Sequence, residues 1–141
     1  MEKENIFQKI IKREVPTVKL YEDLNCIVIM DKYPNTEGQS LVISKRPTDY
    51  AFDLDDMTYA HMLLVAKHIA QATDKALKPY RTCLIIEGFE VPQAHIKLYP
   101  VLEPKLITTM GPEKSDEELE EVAKKIREFI EPITPITLKL N

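Results

Sequence analysis

Short apolar runs follow one another in this chain without helices between them, and that order limits the folds open to it. Val18 to Tyr21, Cys26 to Met30 and Ser40 to Ser44 read as three consecutive strands, rich in Ile, Val, Leu and Tyr. Thr82 to Ile86 and Ala94 to Tyr99 read as two more. Helical periodicity appears in three places only. In about Asn5 to Arg13, Ile6 and Ile10, and Phe7 and Ile11, pair at i, i+4. In about Leu54 to Leu77, Met62, Val65, Ile69, Ala72 and Ala76 form one stripe, with Asp53 as the expected cap and Pro79 as the stop. In about Asp116 to Ile130, Leu119, Val122, Ile126 and Phe129 form another, and Ser115-Asp116-Glu117-Glu118 matches a capping box. Strands and helices do not alternate one for one, which argues against a doubly wound parallel sheet. The expected fold is α+β: an antiparallel five-stranded sheet with packed helices, plus a C-terminal helix and an extended tail.

The chain is long enough for one domain. Residues 1–110 are expected to form the α+β unit, and residues 111–141 a helix and tail packed on it. The tail, with Pro132, Pro135 and then Thr137-Leu138-Lys139-Leu140, reads as an arm on the domain or a partner, or as a loose end. Nineteen basic residues against 23 acidic ones give a net charge of −4, which argues against a nucleic acid polymer as partner but not against a small phosphate ligand. No run approaches the ~20 apolar residues of a membrane span. The charged start, Met1-Glu2-Lys3-Glu4-Asn5, does not resemble a secretory signal. Cys26 and Cys83 read as reduced, buried thiols of a cytoplasmic protein, and the absence of Cys-x-x-Cys removes the common motif for structural zinc.

Of the three histidines, His61 and His68 are two helical turns apart and read as ordinary helix residues. His95 has more informative neighbours. Alternation along its strand places Gln93, His95, Lys97 and Tyr99 on one face and Ala94, Ile96 and Leu98 on the other, with about 6–7 Å between successive members of a row. Lys97 is expected to favour neutral imidazole, the form that acts as nucleophile or base, and to offset phosphate charge. The same row also fits the solvated polar face of a half-buried strand.

Glu87-Gly88-Phe89-Glu90-Val91-Pro92-Gln93-Ala94-His95-Ile96-Lys97-Leu98-Tyr99-Pro100 resembles the signature of the histidine-triad (HIT) family. So do Ile6-Phe7-Gln8-Lys9-Ile10-Ile11 with Glu14-Val15-Pro16, Met30-Asp31-Lys32-Tyr33-Pro34, and Gly38-Gln39-Ser40-Leu41-Val42-Ile43-Ser44-Lys45. The resemblance runs over about residues 5 to 100 in the family's order and spacing. It departs at the triad, where His-x-His-x-His is replaced by Gln93-x-His95-x-Lys97, and at Gln39, where the family has histidine. Asn5 and Gln8 stand where some members carry zinc-binding cysteines, so the resemblance implies no metal and no cofactor.

The resemblance implies a nucleotide hydrolase or nucleotidyl transferase. His95 would attack the α-phosphorus of a nucleotide ester, anhydride or phosphoramidate, with its second nitrogen held by a main-chain carbonyl near position 93. Gln93 would keep amide donors, and Lys97 would clamp phosphate. Asp31 would take the ribose hydroxyls, with Met30, Lys32, Phe7, Ile29 and Gln39 around the nucleotide. Lys45 reads as a surface lysine. The coordinated loss of three histidines leaves open a nucleotide-binding protein with impaired turnover. A homodimer is implied, pairing through the long helix and the strand Thr82 to Ile86. A scaffolding role rests on the tail alone.

Overall fold

The computed structural model describes residues 4–135, so Thr137-Leu138-Lys139-Leu140 and the first three residues lie outside the described residues. The elements run α1 (Ile6–Ile11), β1 (Lys19–Glu22), β2 (Cys26–Met30), β3 (Ser40–Ser44), α2 (Asp56–Leu77), β4 (Arg81–Ile85), β5 (His95–Val101) and α3 (Asp116–Arg127). The strands form one five-stranded sheet in the order β1-β2-β3-β5-β4. Every neighbouring pair is antiparallel, as the strand succession requires. The fold is α+β, as expected.

The central strands β2 and β3 are buried at every position. Their continuous apolar character follows from being covered on both faces. Cys26, Val28, Met30, Val42, Ala94, Ile96 and Leu98 form a core with Met62, Val65 and Ile69 of α2 and Leu119 and Ile126 of α3. Ile27, Ile29, Leu41 and Ile43 pack on the other face with Phe7 and Ile10 of α1. A helix of six residues covers little of a sheet. The same face carries His95 and Lys97, paired in register with Ile43 and Leu41.

Helix boundaries depart from the sequence expectation where several residues compete for one role. Asp53 does not cap α2; it ends a 3-10 turn at Ala51–Asp53. Leu54 and Asp55 are extended, and the Asp55 carboxylate accepts from the Thr58 amide at 3.1 Å. Spaced acids offer equivalent caps, and only the path of the preceding turn selects one. Lys78 closes the helix in the left-handed region at φ 51°, ahead of Pro79. Asn5 is the cap of α1 and not its first turn. Phe129 is exposed, because α3 ends at Arg127, and Ala123 takes the buried position instead. Ser115 caps α3 as expected. Gly38, at φ 87°, lets the β2–β3 connection sit on the end of α2, where a Cβ would come within 2.5 Å of Leu77 Cδ1.

The segment from 102 onward is tied back to the sheet. Gly111 N–H donates to the Tyr33 carbonyl at 3.0 Å and Lys114 N–H to the Lys32 carbonyl at 2.9 Å. The Arg127 guanidinium donates to the Lys19 carbonyl at 3.0 Å. No helix among the described residues is long and apolar enough to cross a membrane. Ile126 is fully buried between α3 and the sheet-side core. Ile126→Ala should therefore lower unfolding free energy by roughly 2–5 kcal/mol in urea titration, with one cooperative transition. A loss below 0.5 kcal/mol would mean that α3 does not share the core (rough surface-substitution scale).

Candidate active site

His95 opens β5 after the loop that carries Gly88 at φ 66°. Its ring is 3% exposed, and Phe7 of α1 meets it edge-on with centroids 4.9 Å apart. Nδ1 lies 2.7 Å from the Gln93 carbonyl oxygen. A carbonyl only accepts, so the proton of the neutral ring is assigned to Nδ1, and Nε2 keeps its lone pair. Burial lowers the His95 pKa from its ordinary 6.5; the Gln93 carbonyl opposes this, and Lys97 adds to the lowering. The sequence-based expectation of a neutral imidazole holds in direction, but desolvation is a larger cause than the neighbouring ammonium.

The carbonyl is itself fixed by a network of amides. Gln93 is 1% exposed. Its Nε2 donates to the Ser44 carbonyl at 2.7 Å, and its Oε1 accepts from Asn5 Nδ2 at 3.1 Å. Asn5 also caps α1 through the Gln8 amide at 2.9 Å, while Gln8 Oε1 accepts from Asn5 N–H at 3.2 Å. One side chain thus links the start of α1, the end of β3 and the entry to β5. The amide group expected to face a ligand is engaged inside the protein.

Lys97 Nζ lies 2.5 Å from Glu87 Oε1, with both side chains largely buried. Burial pulls the lysine pKa down, but the Glu87 hydrogen bond and the charges of Tyr99, Glu87 and Glu90 outweigh it and leave it raised. Asp31 is oriented from behind. Gln39 Nε2 donates to its Oδ2 at 2.7 Å and Tyr33 N–H to its Oδ1 at 2.9 Å, while Gln39 Oε1 accepts from Asn35 N–H at 2.9 Å.

A cavity of about 450 Å³ brings these groups together, within the size range of small-molecule sites. Of the residues singled out from sequence, Phe7, Ile29, Met30, Asp31, Lys32, His95 and Lys97 line it. Met30 is also part of the core under α2 and α3. Gln93 and Gln39 stand outside the lining, Gln93 bonded internally and Gln39 holding Asp31. Lys45 pairs with Glu22 at 2.7 Å, away from the cavity.

Glu90, Met110, Asp116 and Leu119 line the cavity without having been expected. Met110, Asp116 and Leu119 come from the segment beyond the HIT resemblance, where nothing local in the sequence signals a site. Glu90 and Glu87 lie inside the signature itself, but its spacing does not show that Glu90 reaches the cavity or that Glu87 reaches Lys97, ten residues on.

His61 is a helix residue, as expected, and a buried one. It is 6% exposed, and Nε2 lies 2.5 Å from Asp23 Oδ2. Tyr21 OH donates to the same oxygen at 2.7 Å, and the Asn25 and Cys26 amides donate to Oδ1. Burial opposes ionisation of Asp23, but these hydrogen bonds outweigh it and hold the pKa at about 2. Asp23, Cys26 and His61 offer donor atoms within 4.8 Å of one another. Two ligands on one tetrahedral zinc ion would stand about 3.3 Å apart, given metal–ligand bonds near 2 Å. The 2.5 Å contact therefore fits a direct hydrogen bond that latches α2 to the β1–β2 turn.

Comparison with known proteins bears on the family and the fold. A family model described as the HIT domain matches residues 12–101. A HIT-like protein of Synechocystis is 33% identical over 102 residues, 70% of this chain and 88% of that protein. Among solved structures, a Hit-like protein involved in cell-cycle regulation from Bartonella henselae superposes with a TM-score of 0.83 at 31% identity, covering 91% of this chain and 97% of that one. A hypothetical histidine triad nucleotide-binding protein from Sulfolobus tokodaii gives 0.78 at 29% identity, covering 88% of this chain and 90% of that one.

In an NMR titration of ring nitrogens, His95 should remain the Nδ1–H neutral tautomer at pH 7 and protonate with a midpoint below 6.5. The folded chain resists this proton more than the unfolded chain does, so the contribution of His95 to stability declines as pH falls below 6.5. A midpoint above 6.5, or Nε2–H at pH 7, would contradict the geometry.

Proposed function

The chain belongs to the HIT family, and on that footing we propose that it binds ribonucleotides in the His95 cavity and releases the nucleoside monophosphate from a 5′-linked conjugate. The observation that carries this reading is the 2.7 Å bond from His95 Nδ1 to the Gln93 carbonyl, beside a cavity that also holds Asp31 and Lys97. In this reading Asp31 accepts from the ribose hydroxyls, and the α-phosphate lies between His95 and Lys97. The base rests on Phe7 and Ile29. Nε2 attacks the α-phosphorus, a P–N bond forms, and the bond to the leaving group breaks with its electron pair. Water then attacks the nucleotidyl-histidine, giving the monophosphate and free imidazole.

Lys97 serves as an electrostatic clamp, held by Glu87. An ammonium with a raised pKa is a poor proton donor near neutral pH. Good leaving groups, such as a carboxylate from an acyl-nucleotide or pyrophosphate, need no such proton. Amines and alkoxides do. The reading therefore favours acyl-nucleotides and similar anhydrides.

A second reading is a nucleotide binder without turnover. It draws support from the same ion pair, which offsets the Lys97 charge, and from the internal use of the Gln93 amide. Both readings include a homodimer. Its support is family membership together with β4 at the sheet edge, where Tyr80 and Leu84 are exposed. Sedimentation at micromolar concentration should give twice the 16.3 kDa chain mass, and a monomer would remove the dimer from the account.

Steady-state assays with an acyl-nucleotide and a nucleoside phosphoramidate separate the readings. His95→Ala should abolish release of monophosphate from both, and retained activity would refute the nucleophile. Lys97→His should raise the phosphoramidate rate relative to the acyl-nucleotide rate, by about tenfold or more on the usual scale of acid catalysis. Asp31→Ala should weaken ribonucleotide binding more than binding of inorganic phosphate. Binding without turnover of either substrate would select the second reading.

A further inference from the structure

We propose that the cavity selects guanine, read by Asp116 at the start of α3 together with Lys32; the inference rests on the nucleotide-binding reading above. The cavity is lined by His95, Lys97 and Asp31, with Glu90 beside them in the lining, and by the apolar side chains of Phe7, Ile10 and Ile29. Lys32 and Asp116 also line it, and their side chains meet at 2.9 Å. Lys32 directly follows Asp31, so a ribose held on Asp31 brings its base toward this pair. Asp116 lies outside the residues matched by the family model, so base selection would be a property of this chain's C-terminal segment.

The chemistry of the pair discriminates among bases. The Asp116 carboxylate has about four lone-pair sites, and its bond to Lys32 uses one, so both oxygens can still accept. Guanine presents two adjacent N–H donors, N1–H and N2–H, which match two carboxylate oxygens in the bidentate manner. Its O6 stands next to them, where an ammonium can donate. Adenine presents one amino group beside an acceptor nitrogen, which a carboxylate repels. Uracil presents one N–H between two carbonyl oxygens. Only guanine gives the lysine–aspartate pair three complementary contacts without an opposed one.

The segment carrying Asp116 is fixed in place. Gly111 packs against Pro34, where a Cβ would come within 2.2 Å of the Pro34 carbonyl oxygen. The Gly111 and Lys114 amides donate to the Tyr33 and Lys32 carbonyls. The acid is therefore held over the 31–35 loop by backbone contacts that do not depend on its own side chain.

Calorimetric titration of the full chain with GMP, AMP and UMP tests the inference. GMP should bind about tenfold more tightly than AMP, the scale of one bidentate base contact. Asp116→Asn and Asp116→Ala should each bring the GMP and AMP affinities to within about threefold of one another; the variants also release Lys32 from its ion pair, which acts on both nucleotides alike, so the ratio of the two affinities is the readout. Asp116 is exposed at the first helical position, and an unchanged melting temperature of the variants would exclude a folding effect. Equal wild-type affinity for GMP and AMP, or equal loss of both in the variants, would overturn guanine selection while leaving the nucleotide site intact. Failure of all three nucleotides to bind the wild-type chain would overturn the nucleotide reading and the inference with it.

Discussion

The proposed chemistry of this protein depends on the direction of one hydrogen bond, from His95 Nδ1 to the Gln93 carbonyl. An imidazole is ambiguous until one nitrogen is committed, and a backbone carbonyl commits it without contributing a charge. Burial then keeps the ring neutral, so the free nitrogen retains its lone pair near neutral pH. The carbonyl holds its position because the Gln93 side chain bonds to Ser44 and Asn5, which joins β5 to β3 and to the cap of α1. A glutamine at position 93 thus leaves the His95 ring oriented, since the orienting atom belongs to the main chain.

The neighbouring charges are arranged in pairs. Lys97 is paired with Glu87, Lys32 with Asp116, and Asp31 is held by the Gln39 amide. Lys97 and Glu87 are largely buried, and paired charges cost less to bury than single ones, whereas Lys32 and Asp116 meet at the exposed rim. The same pairing moderates what any one group can offer a phosphate. Lys97 is less a free cation than its place in the sequence suggests, and the choice between the two proposed readings turns on how far Glu87 offsets it.

Much of the fold was legible because the sequence repeats at two clear periods. Consecutive β-type runs dictated antiparallel pairing, and the 3.6-residue stripe of Met62, Val65 and Ile69 identified the face of α2 that meets the sheet. The misplaced boundaries have a common cause. Asp53 and Asp55 are equally good caps in isolation, and Phe129 continues the apolar stripe one step past the end of the helix. Tertiary path decided both. In the site, alternation correctly put His95 and Lys97 on one face. It could not show that Gln93 turns its amide to Ser44, that Gln39 lies behind Asp31, or that Glu87 reaches Lys97. Each of those contacts spans a loop or a different element, and sequence spacing carries no signal for them. The C-terminal lining residues were invisible for the same reason.

The most direct test of the proposed nucleophile is the mass of a covalent adduct. The full chain would be mixed with an acyl-nucleotide, quenched within the first turnover under mildly alkaline conditions that preserve a phosphorus–nitrogen bond, digested, and mapped by mass spectrometry. The account requires one added nucleotidyl group, the mass of a nucleoside monophosphate less water, on the peptide that contains His95, located on its ring. Turnover with no adduct on that peptide, or with the added mass on another residue, would contradict it.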